Sequence, residues 1–133
     1  MEKQQKHWER NRIKNLELRI MNRKQKLKRQ IRVRSKIRGT EIRPRISVFR
    51  SNRFVYVQLI NDEMKKTIVG VSEKHLKEKL AGKSTRAKAV GVLLAKKALD
   101  KKIKKAVFDR GSYSYHGRIS ELAQGAREGG LEF

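Results

Sequence analysis

The chain has 133 residues, and its 37% apolar content suffices for one small core. Lys and Arg number 36 against 13 Asp and Glu, a net charge of +23 that points to a polyanionic partner. The absence of Cys excludes a disulfide framework and a thiolate metal site, and no apolar run approaches the ~18 residues of a membrane-spanning helix.

The charge is uneven. Residues 1–45 carry 17 Lys or Arg and 4 Glu, a net +13, whereas residues 46–133 carry 19 and 9, a net +10. A basic arm over residues 1–40 and a body over residues 41–133 are expected. The start MEKQQKHWER has no apolar stretch behind its charges and does not read as a secretory signal. No Gly or Pro precedes Gly39, so residues 5–37 are predicted as continuous helix. Ile13, Leu16, Ile20, Leu27 and Ile31 form one narrow stripe, and Arg23, Lys24 and Gln30 interrupt it as a coiled-coil seam. A stripe this narrow buries little, and clustered like charges repel. The helix is therefore expected to fray alone and to order on an anion. The same narrowness argues against a membrane-surface helix.

The body begins near RPRISVFRS (43–51), where Pro44 keeps Arg43 extended and Ile46 and Val48 alternate with Ser47 and Phe49. FVYVQLI (54–60) is a second strand, with Val55, Val57 and Leu59 on one face and Phe54, Tyr56 and Gln58 on the other. The intervening SNR is a hairpin loop, and TIVGVS (67–72) is a third strand. Residues 73–83 look irregular. Ala87, Val90, Gly91, Leu94, Ala98 and Leu99 then mark an amphipathic helix, with Ser84 or Thr85 as N-cap. KAVFDR (105–110) is a fourth strand. A last helix from about Gly117 turns Ile119, Leu122, Ala123 and Ala126 inward and ends at Gly129-Gly130. The fold class is α/β, with a mixed sheet in β-β-β-α-β-α order. This order resembles the ribonuclease H-like layered architecture.

Three catalytic readings fail on the residues. AGKST (81–85) has the tail of a phosphate-binding loop, but Lys77 stands where its first Gly belongs. Asp109, Ser112 and His116 have the types of a nucleophilic set, yet a body this poor in apolar residues offers little pocket. A nuclease of the ribonuclease H-like kind needs a carboxylate on its first strand, and RISVFRS has none. His7, His75 and His116 are scattered, so no metal site is expected. Basic residues interleaved with aromatics remain, chiefly Tyr56 and Gln58 near Arg50 and Arg53, and the stretch DRGSYSYHGR (109–118).

RPRISVFRSNRFVYVQLIND, AKAVGVLLAKKAL, KAVFDRG and YHGRISELAQGAREGGLEF occur in that order. Together they resemble the large-subunit ribosomal protein L eighteen family, of the bacterial or organellar type, from about residue 29 to the end. The resemblance implies a non-enzymatic protein of the ribosome, in the bacterial cytoplasm or an organelle. It implies binding to 5S rRNA in the central protuberance, with large-subunit rRNA and neighbouring large-subunit ribosomal proteins as further partners and no cofactor. By position it places RNA contacts at Arg32, Arg34, Lys36, Arg38 and Thr40 in the arm. In the body it places them at Arg43, Arg45, Arg50, Ser51, Arg53, Tyr56 and Gln58, then at Arg110, Tyr115, His116 and Arg118. Gly111 and Gly117 are expected to let the backbone turn. Ser112 stands where the family commonly has a second glycine, and the arm before residue 29 is longer than usual.

Overall fold

Four strands and three helices follow the predicted order in the computed structural model, which describes residues 1–77 and 79–133. Helix α1 spans Glu2–Arg34, β1 Arg45–Arg50, β2 Val55–Asn61 and β3 Lys66–Ser72. Helix α2 spans Lys83–Asp100, β4 Val107–Asp109 and α3 Arg118–Glu128. The sheet order is β3-β2-β1-β4, antiparallel except for the parallel β1–β4 pair, so the sheet is mixed.

The period-two alternation decides which face is covered. Ile46, Val48, Val55, Val57, Leu59, Val69 and Val71 are buried on one face, where α2 and α3 pack. Full burial of each such side chain contributes about 1.5–3 kcal/mol. Ala87, Val90, Leu94, Ala95 and Ala98 of α2 meet them, with Ile119, Leu122 and Ala126 of α3. Leu99, expected inward, is 37% exposed on the flank of α2. The two helices touch backbone to backbone. A Cβ on Gly91 would overlap the carbonyl oxygen of Leu122, and one on Gly125 would overlap the carbonyl oxygen of Lys88.

Several boundaries shift for local reasons. Helix α1 stops at Arg34 rather than residue 37, because the Ser35 hydroxyl donates to the Arg32 carbonyl (2.8 Å) and the chain turns toward β2. There the Gly39 N–H donates to Asp62 Oδ2 (2.6 Å), and the Asp62 N–H donates back to the Gly39 carbonyl (3.0 Å). Helix α2 starts after Gly82, with no side-chain cap from Ser84 or Thr85. The stretch expected to be irregular holds a 3₁₀ turn, Glu73–His75, in which the His75 Nδ1 accepts from the Ser72 N–H (3.0 Å). Strand β4 is three residues long rather than six, since Lys105 pairs with Glu132 near the C-terminus instead of with β1. Among the described residues, no helix is long and apolar enough to cross a membrane.

Candidate nucleic-acid interface

Helix α1 buries none of its residues, and its stripe of Ile13, Leu16, Ile20, Leu27 and Ile31 is open to solvent. Its attachment to the body is polar and lies near its C-terminal end. Arg34 Nε donates to Asp109 Oδ2 (3.2 Å), and Lys26 Nζ lies 5.8 Å from the ring centroid of Tyr113. The turn that follows is closed by Thr40, whose N–H donates to the Arg43 carbonyl (3.0 Å) and whose hydroxyl accepts from the Arg43 N–H (3.1 Å). Arg32, Lys36, Arg38 and Arg43 are left exposed. Arg34, Lys36, Arg38 and Arg45 line a cleft of about 550 Å³ together with Asp62.

Arg45 stands apart from the other basic residues. Its guanidinium forms a bidentate pair with Asp62, Nε to Oδ2 and Nη2 to Oδ1, both at 3.0 Å. Its Nη1 donates to Asp109 Oδ2 at 2.8 Å. With 8% of the residue exposed, Arg45 spends its charge inside the protein. The hydrogen bonds to Asp62 and Asp109 hold it protonated above its ordinary range, against the opposing cost of burial. Asp109 accepts further from Arg34 and, through Oδ1, from the Gly111 N–H (2.8 Å). Its carboxylate thus serves two arginines and a turn, and none of these partners is Ser112 or His116.

Asp62 is held below its ordinary value of 3.8, first by the hydrogen bond from Arg45 and against the cost of its partial burial. A carboxylate whose pKa falls on folding adds stability above its unfolded value and loses it as pH drops through the folded one. Thermal melts on an acid titration are therefore expected to lose Tm mainly below about pH 4. Asp62→Asn is expected to flatten that limb; an unchanged limb would mean that Asp62 does not carry it.

The hairpin tip and the loop after β4 share one pole of the sheet, because β1 and β4 run parallel. Ser51 staples the hairpin, its hydroxyl accepting from the Phe54 N–H and donating to the Phe54 carbonyl, both at 3.0 Å. Tyr113 joins loop to strand: its hydroxyl accepts from the Arg50 N–H (3.1 Å) and donates to the Arg50 carbonyl (3.3 Å). The Arg50 guanidinium lies over the same ring at 4.9 Å. The resemblance does not single out Tyr113, although it sits between arginines in the sequence. Gly111 (φ 61°) and Gly117 (φ 58°) take the left-handed conformation expected of them, and Arg110 Nη1 closes the turn on the Tyr113 carbonyl (2.8 Å).

Tyr115 packs edge-on against Phe108 with centroids 5.7 Å apart, and its hydroxyl accepts from Arg127 (3.4 Å). His116 and Arg53 are exposed. Arg118 Nη1 is shielded from solvent and has no partner among the described residues. On the sheet face away from α2 and α3, Gln58 Nε2 donates to the Tyr56 hydroxyl (3.0 Å), and both residues are half-buried. The structure therefore gathers Arg34, Arg50, Arg110, Tyr115, His116 and Arg118 around the loop, with Arg32, Lys36, Arg38 and Arg43 along the arm's root. Thr40, Arg45 and Ser51 are engaged in holding the chain's own shape.

A family model for ribosomal L18 of archaea, bacteria, mitochondria and chloroplasts matches residues 20–133. A large ribosomal subunit protein uL18 from Clostridium novyi is 50% identical over 112 residues, covering 83% of this chain and 93% of that protein. Proteins of the same name from Thermotoga petrophila and Kosmotoga olearia are 53% and 54% identical. They cover 82% and 80% of this chain, and 93% and 90% of their own lengths.

Proposed function

Since this chain belongs to the ribosomal L18 family, we propose that it binds 5S rRNA and helps attach it to large-subunit rRNA in the central protuberance. It is a structural constituent of the large ribosomal subunit and not an enzyme, and it works in the ribosome among rRNA and other ribosomal proteins. The observation that carries the 5S rRNA reading is the meeting of arm, hairpin and loop. Lys26 and Arg50 converge on Tyr113, and Arg34 reaches Asp109. A polyanion placed there meets two differently built surfaces at once.

The division of labour follows from the physics. The arm, residues 1–40, supplies affinity: exposed Lys and Arg neutralise phosphates and release condensed counterions. The body, residues 41–133, supplies selection, since its side chains are fixed relative to one another. Tyr115 and His116 stack on unpaired bases or meet ribose 2′-hydroxyls. Arg118 carries a shielded donor, Nη1, with no acceptor among the described residues, and Tyr56 and Gln58 offer a polar platform on the open sheet face. Arg45, Thr40 and Ser51 act by holding the neighbouring arginines in place.

Titration against labelled 5S rRNA tests this. Affinity is expected to fall steeply with salt, each phosphate contact adding about 0.7–0.9 to the logarithmic slope, and to survive excess unrelated duplex. Equal competition by that duplex would reduce the protein to a generic polyanion binder. His116→Ala and Arg118→Ala are each expected to weaken binding by roughly tenfold while moving stability by less than about 0.5 kcal/mol.

A further inference from the structure

The other pole of the sheet carries a different surface. The starts of β1 and β4, the β2–β3 turn and the α2–β4 connection lie there, opposite the hairpin tip and the 110–117 loop. A groove of about 780 Å³ opens between them. Ile68 and Ile103 form its floor, while Ile42 and Met64 stand on its lips at 79% and 73% exposure. Lys66, Lys101, Lys102, Lys104 and Lys105 surround it, and Glu41 is the one carboxylate among the described residues lining it.

Two further observations mark the groove as shaped. The two non-glycine residues with positive φ among those described are Lys65 (51°) and Lys102 (61°), one on each flank. A glycine would take either turn without steric cost, but at position 102 it would remove a positive charge from the groove's lining. Lys101 Nζ also donates to the Ile68 carbonyl (3.0 Å), tying the end of α2 to the edge strand β3 across the groove.

We propose that this groove docks an acidic protein segment that inserts a large apolar side chain. Five ammonium groups around one carboxylate call for a carboxylate-rich occupant, and the apolar side chains of Ile42, Met64 and half-buried Ile68, over buried Ile103, call for an apolar anchor. An RNA strand satisfies only the first demand. The surface at the opposite pole pairs arginine with tyrosine and histidine, whereas no arginine or aromatic residue lines this groove among those described. Asn61, its one amide, already accepts from the Glu63 (3.1 Å) and Met64 (3.3 Å) N–H groups. Met64, flexible and polarizable, adapts to the shape of an incoming side chain.

The test uses the full chain and two fluorescent peptides of equal length and charge, one of glutamate and leucine and one of glutamate and serine. The leucine peptide is expected to bind about tenfold more tightly, and Ile42→Ser with Met64→Ser to abolish that difference. Both positions are exposed, so 5S rRNA affinity and Tm are expected to stay within twofold and within a few degrees of the parent. Equal binding of both peptides would overturn the proposal in favour of mere polyanion attraction. A photo-crosslinker at Met64 in assembled large subunits is expected to capture a protein through an acidic segment. A crosslink to RNA alone would equally overturn it, while leaving the 5S rRNA reading intact.

Discussion

Arg45→Ala is expected to cost about 3–5 kcal/mol of folding stability, whereas Arg43→Ala, two residues away, is expected to cost less than about 0.5 kcal/mol. Both are arginines beside Pro44, and both are positions where the resemblance places RNA contacts. The difference lies in what each leaves behind. Arg43 is exposed, so its removal returns its surroundings to water. The side chain of Asp109 is 1% exposed, and without Arg45 its buried carboxylate keeps only the partly exposed Arg34 and the Gly111 N–H. Asp62 loses both hydrogen bonds from Arg45 and keeps the one from the Gly39 N–H. Thermal melts of the two variants beside 5S rRNA titrations check this. A stable Arg45→Ala protein with lost affinity would mean that Arg45 itself faces RNA.

Gly91→Ala is expected to destabilise by about 2–3 kcal/mol, which lowers Tm by roughly 10 °C or more. The sign is the informative part. In an open helix the same change stabilises by up to about 1 kcal/mol, because alanine has the higher helix propensity. Here the added methyl would overlap the Leu122 carbonyl oxygen and lie 2.8 Å from the Ala126 amide nitrogen. Both are backbone atoms that no rotamer change can clear, so α2 and α3 would have to separate over the whole core. An unchanged or raised Tm would mean that the helices cross with more room than this.

What was legible in the sequence was what period alone determines. The alternation of Val55, Val57 and Leu59 and the stripe of Ala87, Val90 and Leu94 named the buried face of β2 and of α2. Pairings across the chain were not legible. Arg45 follows the strand's outward phase and does point away from α2 and α3, but nothing local announces that Asp62 and Asp109 converge on it. Asp109 has the residue type of a nucleophilic set, but the fold has it pair with two arginines and cap a turn instead. The short β4 has the same origin. Its six-residue pattern is real, but β1 begins opposite Val107 and the parallel pairing covers three residues, which leaves Lys105 to pair with Glu132. Gly91 read as one more small residue on an apolar face; that it is a point of backbone contact depends on α3, some thirty positions later.

The hub at Asp109 also bears on the order in which the protein becomes selective. Synthesis delivers the arm first, so its charge is available to any RNA while the rest of the chain is still unmade. The carboxylate that receives Arg34 lies 75 positions later, on the last strand. Until β4 pairs beside β1, the arm has attraction without direction, and the loop that carries His116 does not yet exist. On the 5S rRNA reading proposed above, discrimination between RNAs therefore belongs to the finished fold. A chain that stalls or misfolds before its last strand is then expected to retain most of its hold on nucleic acid and little of its choice.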